Sequence, residues 1–112
     1  MNNHISVILS DEANVFIRQQ PLKAQQKIAY NIRRLQSGVI DKDLFKKLAE
    51  TEIWELRTLF NGVYYRLFAF WDTEKAALVV VTHGIVKKTQ KTPKKEIERA
   101  ERIRTEYFND KQ

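Results

Sequence analysis

Arg57 and Arg66 are the residues of this chain best suited to chemistry on an anion. A guanidinium stays protonated at physiological pH. Its planar fork of N–H donors fits the two oxygens of a phosphate or a carboxylate. The arginines flank Asn61-Gly62, a dipeptide set between alternating apolar residues. That is the strongest short-range hairpin signal, because both residues tolerate the positive φ of a type I′ turn. A two-residue turn pairs Phe60 with Val63, Thr58 with Tyr65, Arg57 with Arg66, and Leu56 with Leu67. Directly opposed residues share a sheet face, and opposed like charges destabilise it unless something offsets them. Glu55 on the same face could be a structural offset. A bound phosphate could be a functional one, and is the preferred reading.

The elements that must position these groups can be read around the hairpin. IWELRTLF, VYYRLFAFW and AALVVVTHG form a three-stranded meander. Trp54, Leu56, Phe60, Val63, Leu67 and Trp71 face one way, as core. Ile53, Glu55, Arg57, Tyr64, Arg66, Phe68 and Phe70 face the other. The second connection, Asp72 to Lys75, lacks glycine, so a four-residue loop around a type I turn is expected. It pairs Trp71 with Ala76, and so places His83 opposite Tyr64 on the arginine face.

Upstream, Ile5 to Leu9 reads as a strand and Ser10 as a helix N-cap, with Asp11 and Glu12 in the first turn. A second helix starts at Pro21 and ends at Gly38. Leu44, Phe45 and Leu48 suggest a short turn of helix capping the core. Thr92-Pro93 opens a last helix with an apolar stripe of Ile97, Ala100, Ile103 or Arg104, and Tyr107. Residues Asn109 to Gln112 should fray. The order is strand, helix, helix, meander, helix. That is a small α+β domain, with two helices on the Trp54-Leu56-Leu67 face and the last partly over Phe68 and Phe70.

The chain has 112 residues, enough for a single domain spanning 1–112. It has no cysteine, which excludes thiolate zinc sites and thiol catalysis and fits a reducing, cytoplasmic setting. No signal peptide or membrane span is visible, so a soluble protein is expected. The net charge of +6 and pI of about 9.7 suit an anionic partner, nucleic acid foremost. Five lysines and no acid lie between Gly84 and Lys95, while the meander is near neutral. Lys88, Lys91, Lys94 and Lys95 are therefore candidates to bind nucleic acid, with Tyr64 on the arginine face and Lys47 beside it. No phosphate-cradling glycine loop, dinucleotide fingerprint or paired-histidine metal motif is present, so no metal or cofactor is expected.

IWELR, YYRLFAFWD and VVTHGIVKKTQKTPKKEIERAERI together resemble the phage-derived branch of the RelE/HigB toxins, over nearly the whole chain. The resemblance implies a small antiparallel sheet with two N-terminal helices on one face. It implies the toxin of a type II toxin–antitoxin pair, cutting mRNA in the ribosomal A site without metal. A helix-turn-helix antitoxin would silence it. The family's basic active positions fall on Arg57, Arg66 and the Lys87-Lys88 pair, with His83 preceding them. A C-terminal histidine used by several members is absent.

Metal-free RNA cleavage needs a base for the 2′-hydroxyl, cations for the charge growing on phosphorus, and an acid for the leaving oxygen. Arg57 and Arg66 suit the cationic role. His83 is the first choice for base or acid, and Lys87 the second. A ParE-like toxin acting on gyrase, a non-catalytic nucleic-acid-binding module and a pure antitoxin-docking subunit are the alternatives.

Overall fold

The computed structural model describes residues 4–89 and 91–111. In chain order the elements are β1 (Ser6–Leu9), α1 (Asp11–Arg18), α2 (Leu22–Gln36), β2 (Phe45–Lys47), β3 (Trp54–Phe60), β4 (Val63–Asp72), β5 (Leu78–Lys87) and α3 (Lys94–Asp110). The strands form one sheet in the order β1-β5-β4-β3-β2. Every pairing is antiparallel except β1 with β5, which is parallel.

The hairpin register is the expected one, from Phe60 opposite Val63 to Leu56 opposite Leu67. Asn61 and Gly62 both have positive φ, at 52° and 78°, as a type I′ turn requires. Helices α1 and α2 cover the Leu56-Leu67 face, where Ala13, Ala24, Ile28 and Leu35 pack against Tyr65, Ala69 and Val81. The Ser10 hydroxyl caps α1 by accepting from the Ala13 N–H at 3.0 Å. Gly38, at φ 96°, ends α2 beyond its Ser37 cap. The Gly38 and Val39 N–H groups reach back to the carbonyls of Leu35 and Arg34, as in a Schellman turn.

The other face is half covered. Helix α3 lays Ile97, Ala100, Tyr107 and Phe108 over Ile53, Phe68, Phe70 and Val80. Before the start of α3 the segment leading into it crosses Arg66 through Thr89 and Thr92, and the face opens past that row. Both ends of the helix are tied to buried polar groups of the sheet. At the far end Asp72 accepts from the Tyr107 hydroxyl at 2.7 Å and from Lys111 Nζ at 2.6 Å. The expected fraying is therefore not what residues 109–111 do, since the helix runs to Asp110 and Lys111 closes onto Asp72, while Gln112 lies outside the described residues.

Three further expectations are corrected. Phe45 to Lys47 form an edge strand, not a helical turn. The Asp41 side chain accepts from the N–H groups of Asp43 and Leu44, and the Leu44 carbonyl then accepts from the Arg57 N–H. Strand β5 continues past Gly84 to Lys87. The β4–β5 register also differs. Trp71 lies opposite Val79 and not Ala76, because the connection is longer than four residues and turns through Ala77 at φ 50°.

A bulge between Phe68 and Ala69 of β4 and the facing β5 leaves Thr82 without an opposed residue. Its hydroxyl instead lies 3.2 Å from the Phe68 carbonyl and 2.8 Å from His83 Nδ1, sharing one proton between the two acceptors. Strand side chains alternate with a period of two, so one extra residue transfers everything after it to the other face. His83, Ile85 and Lys87 thereby reach the arginine face, opposite Phe68, Arg66 and Tyr64. Gly84 turns under α1. A Cβ there would stand 2.8 Å from Leu67 Cδ2 and nearer still to the Phe16 ring.

Candidate active site: an arginine pair on a half-covered sheet

Arg57 and Arg66 are directly opposed on β3 and β4, as expected. Strand pairing alone fixes this placement. Glu55 lies one side-chain layer below on β3 and shows no exposed surface. Its Oε1 accepts from Arg57 Nε at 2.9 Å, and its Oε2 lies 3.7 Å from Arg66 Nη1. The structural offset is thus present. One carboxylate faces two guanidiniums, so the rung keeps a cationic surplus.

The arginines differ in environment. Arg57 keeps 25% of its side chain exposed, and among the described residues its only hydrogen-bond acceptor is Glu55, reached through Nε. Arg66 is 1% exposed. Its Nη1 donates to Thr92 Oγ1 at 2.8 Å, its Nη2 lies 3.5 Å from the Thr89 carbonyl, and its guanidinium stacks on the Tyr64 ring at 5.2 Å. Arg66 Nε has no hydrogen-bond partner among the described residues. Such an orphaned buried donor costs about 1–3 kcal/mol.

The pair opens onto a cleft of about 450 Å³ lined by Asp43, Arg57, Leu59, Tyr64 and Arg66. Leu59 and Tyr64 form the next rung, with Lys87 beyond Tyr64 on β5. The cleft therefore has a cationic floor, an apolar and aromatic wall, and one acidic side chain, Asp43.

His83 shares the arginine face, but α3 covers it completely. The ring stacks on Phe68 at 4.9 Å, with Nδ1 2.8 Å from Thr82 Oγ1 and Nε2 3.1 Å from Glu96 Oε1. A carboxylate only accepts, so Nε2 carries the proton. Burial, then the Arg99 charge, push its pKa below 6.5, and Glu96 only partly opposes them. His83 lies opposite Phe68 rather than Tyr64, separated from the cleft by the Arg66 row.

Of the remaining candidates, Lys87 is half-buried beside the cleft, and Lys88, Lys91, Lys94 and Lys95 are exposed along the path into α3. Lys47 pairs with Trp54 and so belongs to the opposite face, while Lys46 pairs with Glu55 on the arginine face. Tyr107 is held at Asp72, at the other end of α3. Sequence reasoning passed over Lys46, Asp43 and Thr92. Lys46 was within reach, by extending the alternation of β3 to its neighbour. Thr92 was not. It was expected to cap α3, yet Pro93 occupies the cap and the Thr92 hydroxyl donates to Glu55 Oε2 at 2.6 Å.

Among the described residues no group of three His, Cys, Asp or Glu side chains could hold a metal ion, and no helix is long and apolar enough to cross a membrane.

The same arrangement of sheet and helices occurs in solved toxins. The chain superposes on a mutant of the E. coli toxin RelE in the free state with a TM-score of 0.60, at 17% identity, covering 90% of this chain and 97% of that one. It also superposes on a chain of the toxin–antitoxin complex RelBE2 from Mycobacterium tuberculosis, with a TM-score of 0.52 at 16% identity, covering 77% of this chain and 94% of that one. The fold is thus that of the RelE toxins. No curated protein shows significant sequence similarity. The family model described as phage derived protein Gp49-like matches residues 15–105, and the chain belongs to that family.

Proposed function

We propose that this protein is the toxin of a toxin–antitoxin pair and that it cuts mRNA on the ribosome, in the cytoplasm. The observation that carries this reading is the opposed arginine pair, sharing one buried carboxylate at the floor of an open cleft. Two guanidiniums and the Lys87 ammonium against Glu55 and Asp43 leave one positive charge for a phosphodiester, and the Tyr64-Leu59 wall suits a sugar or base. An antitoxin partner is supported by the likeness to RelBE2, a toxin solved with its antitoxin.

In the proposed reaction the 2′-oxygen attacks the adjacent phosphorus while the bond to the 5′-oxygen breaks. The products are a 2′,3′-cyclic phosphate and a 5′-hydroxyl. Arg57 and Arg66 stabilise the charge on the phosphoryl oxygens. Asp43, the carboxylate lining the cleft, takes the 2′-hydroxyl proton, and the Lys87 ammonium gives one to the leaving oxygen. His83 supports the floor from beneath α3. Lys46, Lys88, Lys91, Lys94 and Lys95 bind RNA phosphates around the cleft.

The test is induction in bacteria with mapping of mRNA 5′ ends. Codon-phased cuts that vanish when translation is blocked are expected. Growth arrest with intact mRNA would overturn the reading, and DNA damage in its place would point to gyrase.

A further inference from the structure

Thr92 occupies an unusual position between opposite charges. Its hydroxyl donates to Glu55 Oε2 at 2.6 Å and accepts from Arg66 Nη1 at 2.8 Å. The two charged groups it separates remain 3.7 Å apart. On the other side of the same carboxylate nothing intervenes, and Arg57 Nε closes to 2.9 Å. Glu55 and Arg66 are both buried, so their attraction is weakly screened, and direct charge-assisted contact at about 2.8 Å would be the default. Helix α3 begins at Lys94 with Pro93 at its cap, so Thr92 lies one residue before the capping position. Here the helix has no side-chain cap. The hydroxyl's capacity is spent on the charge pair.

We propose that Thr92 is a positioning residue, a one-atom spacer that stops Arg66 from collapsing onto Glu55 and keeps its guanidinium aimed at the cleft. The proposal rests on the RNA-cleaving reading above and adds to it. Without the hydroxyl, Glu55 Oε2 loses its shortest hydrogen bond, and Arg66 Nη1 loses its only acceptor within 3 Å among the described residues. The two defects satisfy each other if Arg66 moves onward to Glu55. Both of its positive neighbours would then be consumed by the carboxylate, and the phosphate would lose its buried donor. The protein would stay folded, since the new ion pair replaces the lost bonds. Thr92 also sits at the start of α3, so the seating of that helix sets the arginine's orientation.

The test compares Thr92→Val, which keeps shape and removes the hydroxyl, with Thr92→Ser, which keeps the hydroxyl. On programmed ribosomes, Thr92→Val is expected to lower kcat about 10- to 100-fold, as small misplacements of a reacting group do. KM should move less than about threefold, the melting temperature should hold, and Thr92→Ser should restore the rate. A wild-type kcat in Thr92→Val, or equal loss in both variants, overturns the proposal. A second readout does not need cleavage. The guanidinium ¹⁵N resonances of Arg66 should shift in Thr92→Val and return in Thr92→Ser, and unchanged resonances overturn the spacer role. A wild-type protein that cuts no RNA but shows those shifts would sink the proposed function and leave the spacer standing.

Discussion

Arg57 and Arg66 stand opposite each other on adjacent strands and divide one buried carboxylate unequally, at 2.9 and 3.7 Å. The more exposed arginine has the tighter hold on Glu55. The buried one is passed to Thr92 and the Tyr64 ring. That inequality separates their contributions to folding from their contributions to binding an anion.

Removing either guanidinium should cut the cleavage rate by roughly two to three orders of magnitude, the usual loss for one charge-stabilising donor. Stability should respond differently. Arg57→Ala should cost about 1 kcal/mol, because the pair is partly in water. Arg66→Ala should cost about 3 kcal/mol, since it leaves Glu55 buried with less compensation. The double variant Arg66→Ala with Glu55→Ala should recover much of that stability and none of the activity. Urea unfolding beside single-turnover cleavage measures both. Additive stabilities in the cycle would show that the 3.7 Å contact carries no coupling.

Two adjacent lysines should behave oppositely. Lys46 shares the face of Glu55, and Lys47 the face of Trp54. Lys46→Ala should weaken binding of single-stranded RNA and flatten its dependence on log salt by about 0.7, the value of one phosphate contact. Lys47→Ala should leave the slope unchanged. Equal effects would mean that the RNA wraps the β2 edge instead of following the cleft.

His83 should prove structural. Its pKa is lowered from 6.5 by burial, so the folded state resists protonation that the unfolded chain accepts. Stability should be complete above about 6.5 and erode as the pH falls from there toward the lower folded value. His83→Gln should abolish that erosion while cleavage stays within about tenfold. A folded His83→Gln protein with no activity would restore His83 as the acid or base.

Asp72 governs the far end of α3. Burial would raise its pKa, but hydrogen bonds from Lys111, Tyr107 and the Glu74 N–H outweigh it and hold the carboxyl at about 2, below the ordinary 3.8. Its contribution is therefore present above about 4 and lost as the pH falls toward 2. Hydrogen exchange in the last turns of α3 should accelerate across that window. In Asp72→Asn the exchange should be fast already and flat with pH.

The sequence made the β3–β4 pairing legible because Asn61-Gly62 permits one tight turn, and that turn dictates every rung. It also showed Ser10 and Gly38 as the boundaries of α1 and α2. The β4–β5 pairing was not legible. Nothing in VVVTHG marks Thr82 as the bulged residue, and the loop gave no unique length. The candidate site divides in the same way. Arg57 and Arg66 follow from local turn chemistry. The sharing of Glu55 with Thr92, 37 residues away in the chain, depends on where a helix settles, and no local pattern encodes it.

The unpaired residue in β5 also limits how this chain can vary. From Leu78 to Lys87, gain or loss of a single residue reverses the parity of the strand's end. It would drive Lys87 under the helices and send Gly84, which has no side chain, to the open side. Length changes here are tolerable only two residues at a time, or when a matching change in β4 cancels them. Homologues should therefore keep the parity of the spacing between Leu78 and Lys87 even where the residues themselves drift.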